Sequence, residues 1–425
     1  MTRSLLINSF RERTASAVPK SSGNSGVLTP EVHSLAARRI YEIASTPRIV
    51  LLLACSCVFA ISLLTGLCNT AFAQQKPTVS APRTSTFAEL SEAAGKAREE
   101  NRNDDAIRLY RQALSVQPDW KQGLWFLGFL LFEKEQYVEV RDLMRRFVAV
   151  EPQAGPGWAL LGMSEFQTRE FTRSLDHLQH ARALGLGDQK EMADSLFYHV
   201  GVLHTRFEQY DAAMALLMAM RKSGSSAELL TEPIGLAALR YPLLPSEIPP
   251  ARKEMFRMAG AAALADEAQR RDEAEKLFLA MSTAYPNEPG VHFLYGVFLL
   301  NVRPGDGIKE LQRELEITPY NPIAKVRLAD EYVKEQQFDD ALRLANEVVQ
   351  LDPHNASGFL VLGETLLAKG DLDRGIAALE TSRKLRPETV RTHWDLLRAY
   401  TSAHRVADAK RETEEIKKLQ LPEAP

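Results

Sequence analysis

Residues that could bind a metal or act on a substrate are few in this sequence. His177 and His180 lie three positions apart in a segment with helical periodicity, a spacing that brings two imidazoles to one face of a helix. A zinc site needs at least one further ligand, and Asp176 is the only carboxylate next to the pair. We therefore interpret both histidines as surface residues of a helix rather than as metal ligands.

The sequence motifs of the common enzyme classes are absent from the chain. It contains no phosphate-binding G-x-x-x-x-G-K-[ST] loop, no dinucleotide-binding G-x-G-x-x-G after a strand, no H-E-x-x-H and no G-x-S-x-G. The sequence thus predicts a protein that has no catalytic activity, no cofactor and no metal site.

The positions of the cysteines and the net charge argue against thiol chemistry and against nucleic-acid binding. Cys55, Cys57 and Cys68 are the only cysteines, so a chain that begins after Ala73 can form no disulfide and has no thiol nucleophile. Residues 74–425 carry a formal charge of −7. This acidic balance argues against non-specific nucleic-acid binding, which depends on Lys and Arg neutralising phosphates.

The N-terminal part of the chain has the pattern of an export signal. Nineteen uncharged residues, 49–67, follow a basic stretch and precede the small-x-small tripeptide Ala71-Phe72-Ala73. These are the parts of a secretory signal peptide, so residues 1–73 are predicted to be a signal that is cleaved after Ala73. The alternative is an uncleaved membrane anchor, since about 20 apolar residues span a bilayer. Residues 74–86, rich in Pro, Ser and Thr, are predicted to be a linker.

Proline marks a repeat along the rest of the chain. The prolines occur in two clusters with spacings of 34 in the first and 33, 34 and 34 in the second: Pro118, Pro152, Pro286, Pro319, Pro353 and Pro387. Each period contains two amphipathic segments, which predicts a helix-turn-helix repeat. Small residues recur in phase, and we expect Gly162 to lie where the two helices of its repeat cross closely.

These repeats resemble the tetratricopeptide repeat family, whose pattern is W-x2-L-G-x2-Y, then A-x3-F-x2-A, then P. The third unit carries Trp158, Leu161, Gly162, Ser174, Leu178 and Ala181, and the seventh carries Leu328, Ala329, Tyr332, Ala341, Val348 and Pro353. The resemblance implies an all-α fold, a right-handed superhelical solenoid. Four units are predicted over 87–227 (87–120, 121–154, 155–188 and 194–227) and five over 255–425 (255–288, 289–321, 322–355, 356–389 and 390–423).

Residues 228–254 interrupt the period. The segment contains Pro233, Pro242, Pro245, Pro249 and Pro250, which are expected to prevent a long helix. We interpret it as a degenerate repeat or a connecting loop between two halves of the solenoid. The alternative is a hinge or an additional interaction element.

The resemblance also implies a binding surface. In this family the second, fifth, ninth and twelfth positions of the first helix of each unit face the concave side. In units two to four these positions include Trp125, Phe129, Phe132, Met163, Phe166, Tyr198 and Val202. Exposed aromatic and methionine side chains are typical of protein interfaces, so these seven residues are predicted to line a groove for a protein or peptide. The alternative is that they pack on neighbouring helices and close the groove.

Units seven to nine differ at the same positions. Their inward residues include Asp330, Glu364, Arg391, Trp394 and Arg398, a more polar surface that suits a charged partner.

The sequence predicts an exported scaffold, periplasmic or extracellular, that binds proteins or peptides through its concave face within a bacterial envelope. Neither nucleic acid nor a cofactor is expected to bind, and membrane contact is expected only through residues 49–67 if they are not removed. One alternative is a membrane-anchored accessory subunit of an envelope enzyme or assembly complex. Another is an enzyme that uses His177 and His180.

Overall fold

A computed structural model describes residues 85–420, and all regular secondary structure in this range is helical. Two short 3-10 helices, Pro245–Glu247 and Pro250–Arg252, accompany nineteen α-helices. The α-helices are α1 (Phe87–Glu99), α2 (Asn103–Val116), α3 (Lys121–Glu133), α4 (Tyr137–Val150), α5 (Gly155–Gln167), α6 (Phe171–Leu184), α7 (Lys190–Arg206), α8 (Tyr210–Lys222), α9 (Ala227–Ala238), α10 (Lys253–Glu267), α11 (Arg271–Ala284), α12 (Val291–Leu300), α13 (Pro304–Ile317), α14 (Pro322–Lys334), α15 (Phe338–Leu351), α16 (Ala356–Ala368), α17 (Leu372–Leu385), α18 (Val390–Ser402) and α19 (Val406–Gln420).

Within residues 85–420, every α-helix except α9 belongs to one of nine pairs, and each pair overlaps one predicted repeat, with α7 and α10 beginning at Lys190 and Lys253 rather than at 194 and 255. We call the first helix of a pair helix A and the second helix B. Helix A packs against helix B of its own repeat and against the neighbouring repeat, so that the repeats stack in one direction. The predicted all-α solenoid of helix-turn-helix repeats is confirmed within residues 85–420.

The small residues of the repeat lie where its two helices approach most closely. A Cβ atom on Gly162 would lie 2.7 Å from Cγ of Leu178, and one on Gly363 would lie 2.6 Å from Cγ of Leu379. Both leucines belong to helix B of the same repeat. The expectation for Gly162 is therefore confirmed, since any side chain there would push helix B away.

The turn between helices A and B has the same backbone geometry in several repeats. In repeat three, Arg169 adopts a left-handed φ of 65°, and the amide of Glu170 donates to the carbonyl of Glu165 at 2.8 Å. This bond ends helix A in the manner of a Schellman motif. Left-handed residues occupy the matching turn positions at Asn101, Glu135, Glu208, Gln269, Gln336, Gly370 and His404.

Residues 227–238 form α9, so the prediction that prolines prevent a long helix in 228–254 is wrong for the first part of that segment. Pro233 lies inside α9 although proline supplies no amide donor. Close packing against α10 explains why the helix persists. A Cβ atom on Gly235 or on Gly260 would lie 1.9 Å from a main-chain oxygen of the facing helix.

The remaining part of the interruption, residues 239–252, is a loop that is tied to the preceding repeats. The Glu247 carboxylate accepts from Arg169 at 2.6 Å and from Arg206 at 3.1 Å. Arg206 also donates to the carbonyl of Pro242 at 2.8 Å. Because α9 packs on both α8 and α10, the helical stack continues across the interruption.

The hydrophobic core is continuous from repeat one to helix A of repeat four and is divided in the last repeats. One buried cluster extends from Ala94 to Leu203. The C-terminal repeats contain two separate clusters, one from Ile308 to Ala378 and one from Leu360 to Tyr400. The polar site described below lies on helices of these C-terminal repeats.

The segments predicted to direct export lie outside the described residues. This holds for the apolar run 49–67 and for the tripeptide 71–73. Within 85–420, no helix has the length and the apolar character needed to cross a bilayer. The signal peptide and the anchor both stay predictions.

Candidate functional site

Three of the seven residues predicted to line a groove are buried in the core. Trp125, Met163 and Val202 are 7%, 1% and 1% exposed. The Trp125 ring packs on the Phe147 ring with centroids 5.5 Å apart. For these three residues the prediction of an open groove is wrong, because helix A buries its apolar side chains against helix B and the adjacent repeats.

The other four predicted residues, Phe129, Phe132, Phe166 and Tyr198, are half-buried. Phe132 and Phe166 occupy equivalent positions, and each packs edge-on against the aromatic residue that begins helix B, with centroids 5.3 and 5.7 Å apart. Burial raises the pKa of Tyr198 to about 12. These side chains keep only part of their surface for a partner, and their binding role stays a prediction.

The two histidines considered as metal ligands pack on an aromatic ring. The rings of His177 and His180 lie 5.1 and 4.8 Å from that of Trp158. His177 Nδ1 is also 2.6 Å from the buried Glu165 Oε2. In the range 85–420, no group of three or more His, Cys, Asp or Glu residues is placed to hold a metal ion. The two histidines therefore make their contacts with other residues of repeat three.

The polar residues of repeats seven to nine do come together. They lie on α14, α16 and α18, the A helices of these repeats, and comprise Asp330, Glu364, Arg391, Trp394 and Arg398. The Arg391 guanidinium donates to Asp330 Oδ1 and to both oxygens of Glu364, each at 2.6 Å. One arginine therefore links three successive repeats through charge-assisted hydrogen bonds.

Asp395 belongs to the same cluster and was not predicted. Its side chain is 2% exposed, and Oδ1 accepts a hydrogen bond from Arg398. Its other oxygen, Oδ2, is buried and has no hydrogen-bond partner within the described part of the chain. Sequence reasoning missed it because Asp395 is the sixth residue of its repeat, outside the four inward positions. Its i,i+3 spacing to Arg398 was the available signal.

An open cavity of about 1100 Å³ lies beside this cluster, and we call it the C-terminal cavity. It is lined by Val333, Glu364, Leu367, Ala368, Gly370, Leu372, Val390, Arg391, Trp394, Asp395, Arg398, Ala399 and Ser402. Trp394 is 45% exposed, which is unusual for a tryptophan. A few polar groups in a largely apolar cavity are typical of binding sites.

The electrostatics of the cavity favour an additional positive charge. Burial and the neighbouring Asp395 carboxylate raise the pKa of Glu364 to about 8, against the opposing effect of Arg391. Burial also acts to raise the pKa of Asp330, but Arg391 and Lys334 outweigh it and lower that pKa. Near neutral pH, the Glu364–Asp395 pair therefore retains a proton that isolated carboxyl groups would release.

The C-terminal cavity coincides with the part of the chain that matches a known family. Residues 332–399 match the tetratricopeptide repeat model. This range extends from the end of α14 through most of α18, so it includes most of the residues that line the cavity.

Two curated proteins of Dictyostelium discoideum share local similarity with the chain. The general transcriptional corepressor trfA is 28% identical over 138 residues, which is 32% of this chain and 10% of the relative. Anaphase-promoting complex subunit 3 is 32% identical over 83 residues, which is 20% of this chain and 9% of the relative. The chain thus spans about a tenth of the length of these relatives.

Solved structures of MamA resemble part of the helical array. The MamA RS-1 ArsTM double mutant is 19% identical, covers 39% of this chain and 94% of its own, and gives a TM-score of 0.36. MamA 41-end from Desulfovibrio magneticus RS-1 is 22% identical, covers 39% of this chain and 93% of its own, and gives a TM-score of 0.33.

Proposed function

We propose that this chain is a non-catalytic scaffold that binds proteins or peptides through the concave face formed by its A helices. The observation that carries the proposal is the C-terminal cavity, in which Trp394 is half-exposed beside a fixed network of charges. Partly exposed tryptophan and arginine residues in a pocket are typical of the residues that dominate protein interfaces. The tetratricopeptide repeat match at 332–399 supports the same function.

Affinity capture with matched variants tests the scaffold role. The whole protein, tagged at its C-terminus, is compared with Trp394→Ala and with Tyr320→Ala. Tyr320 is 77% exposed, lies between α13 and α14 and does not line the cavity, so its variant controls for general loss of an exposed aromatic ring. Proteins that the wild type and Tyr320→Ala retain should be lost by Trp394→Ala. Retention by all three would contradict the cavity as the site, and absence of any specific partner would contradict the scaffold role.

The half-buried aromatic residues of repeats two to four form a second part of the proposed concave surface. Phe129 is the member that we choose for the test because it lies at the ninth position of helix α3, in the middle of the predicted groove. Phe129→Ala should weaken binding of the captured partner less than Trp394→Ala does, since only part of the ring is accessible. An equal or larger loss would move the main site to the N-terminal repeats.

We also propose that the protein is exported and that its signal is removed after Ala73. The proposal is supported by the basic flank, the apolar run 49–67 and the small-x-small tripeptide. Sequencing of the mature N-terminus should find Gln74 as the first residue. A protein that keeps its N-terminal segment and stays in the membrane through a high-salt wash would instead support an anchored accessory subunit of an envelope complex.

A further inference from the structure

A general scaffold role leaves the Asp395 carboxylate unexplained. The side chain is 2% exposed and lines the C-terminal cavity, yet Oδ2 has no hydrogen-bond partner in the range 85–420. Buried polar atoms in folded proteins are nearly always hydrogen-bonded, because a buried acceptor without a donor loses the hydration it had in water. Apart from the proton that the Glu364–Asp395 pair retains, no donor of the described residues reaches this oxygen.

Two cations of the cluster, Arg391 and Lys334, are engaged with carboxylates other than Asp395. Arg391 donates to Asp330 and Glu364 at 2.6 Å. Lys334 on α14 lies 3.0 Å from Asp330 and 2.6 Å from Glu331. A positively charged group that enters from outside can thus pair with Asp395 without displacing these contacts.

Arg398 is the internal group that competes for the same carboxylate. It donates to Oδ1 of Asp395, but its side chain is 75% exposed and therefore well hydrated. Because the Arg398 end of this pair is hydrated, a second cation that pairs with the buried Asp395 can replace it without leaving a charge buried and unpaired. Arg398 also shows that a guanidinium can reach the Asp395 carboxylate.

Trp394 supplies the remaining element of a cation site. Its ring is 45% exposed and lines the cavity next to Asp395 in the sequence. Planar guanidinium groups stack on tryptophan faces while their edges donate to carboxylates. A lysine ammonium is a point charge on a flexible stem. It has no planar face to stack on the ring, so lysine fits this pair of groups less well than arginine does.

We propose that the C-terminal cavity binds an arginine side chain of the partner protein, with Asp395 and Glu364 accepting its hydrogen bonds and Trp394 covering its guanidinium plane. The assignment rests on the proposed scaffold function and specifies the chemistry of the partner. An acidic partner residue is disfavoured, since it would meet the carboxylates of Glu364 and Asp395 and would have to draw Arg391 or Arg398 away from them.

Binding of arginine should also release the proton held by the carboxylate pair. The charged groups around Glu364 are Arg391, Asp395 and Arg398 on α18 and Asp330, Glu331 and Lys334 on α14, while α17 contributes Leu372 to the cavity. A guanidinium that takes the place of the shared proton binds more tightly when that proton has already left. Affinity should therefore rise from pH 6.5 to pH 8.5, through the pKa of Glu364 at about 8.

The test uses three pools of fluorescein-labelled, end-blocked nonapeptides that differ only in a fixed central residue, which is arginine, glutamine or glutamate. Fluorescence anisotropy measures binding to the whole protein. The arginine pool should bind at least tenfold more tightly than the glutamine pool. Asp395→Asn should remove this preference, and Arg398→Gln should strengthen binding of the arginine pool several-fold by removing the internal competitor.

Asp373→Asn provides the matched control. Asp373 is exposed on α17, does not line the cavity, and its substitution changes the net charge by the same amount as Asp395→Asn. The control should keep the arginine preference. Glu364→Gln cannot hold the titrating proton and should abolish the rise in affinity with pH. If Asp395→Asn does not fold, Glu364→Gln and Arg398→Gln together test the proposal.

The possible failures are distinguishable. If all pools bind equally and lose affinity in Trp394→Ala, the arginine assignment is overturned while the scaffold function stands. Tightest binding of the glutamate pool, weakened by Arg398→Gln, would assign an acidic partner and also overturn the proposal. If no pool binds at any pH, the cavity is not a peptide site and the proposed function loses its main support as well.

Discussion

The ninth position of helix A has opposite roles in the two ends of the solenoid. In repeats three and four it holds Met163 and Val202, which are both 1% exposed and lie in the hydrophobic core. In repeats seven and eight it holds Asp330 and Glu364, which are joined by Arg391 of repeat nine beside an open cavity. Apolar residues at this position pack into the hydrophobic core, whereas Asp330 and Glu364, whose side chains are only 6% and 11% exposed, form a charged network at the edge of an open cavity.

The largest expected effect is the loss of a core tryptophan in the N-terminal repeats. Trp125→Ala should lower the free energy of unfolding by about 3–5 kcal/mol, because it removes a ring that is 7% exposed and leaves a cavity. Urea denaturation followed by circular dichroism measures this change. Trp394→Ala is the matched substitution, and its cost should be much smaller because the ring is 45% exposed. Equal losses of unfolding free energy in the two variants would contradict the difference between the N-terminal and the C-terminal repeats.

The second effect concerns the close crossing of helices A and B. Gly162→Leu should cost about 1–3 kcal/mol, because its Cβ alone would lie 2.7 Å from Leu178 Cγ. Gly95→Ala is the control, since a Cβ at Gly95 meets nothing within 4 Å. That control should stabilise α1 by about 0.5–1 kcal/mol. A midpoint of thermal unfolding that is unchanged in Gly162→Leu would contradict the observed register.

A third effect, specific to the C-terminal repeats, depends on pH. The pKa of Glu364 is about 8 in the folded protein, above its usual value of about 4.3 in an unfolded chain. Between these values the folded state holds a proton that the unfolded state has lost, so stability falls as the pH rises and levels off above pH 8. The loss should be at least about 1 kcal/mol.

Glu364→Gln isolates this pH effect, since an amide does not titrate. Its unfolding midpoint should depend less on pH between 5 and 9 than that of the wild type. Glu388→Gln, an exposed substitution between α17 and α18, should behave as the wild type does. Parallel pH curves for wild type and Glu364→Gln would show that Glu364 does not retain the proton.

The order of elements could be predicted from the sequence because it depends on local patterns. Proline spacing and recurring small residues such as Gly162 located nine helix pairs, and contact with Leu178 confirms the phase. Helix α9 was missed because the local penalty of Pro233 is outweighed by tertiary packing at Gly235 and Gly260, which a sequence window does not contain.

The candidate site could be predicted only in part. A family rule identifies which face of helix A points inward, but not whether the side chains there are covered, so Trp125 was assigned to a groove although it lies in the core. The same rule found Asp330 and Arg391, which are 61 positions apart and in direct contact. The unpaired oxygen of Asp395 depends on the placement of several helices at once, and periodicity carries no information about it.

The most direct measurement compares partner binding and melting temperature in Trp394→Ala and Trp125→Ala, with binding measured well below the melting temperature of each variant. Our account predicts that Trp394→Ala melts close to the wild type and binds the captured partner about thirtyfold more weakly, which corresponds to about 2 kcal/mol for an interface tryptophan. Trp125→Ala should melt early and still bind while folded. The reverse result, with normal binding by Trp394→Ala and lost binding by a folded Trp125→Ala, would contradict the C-terminal cavity as the functional site.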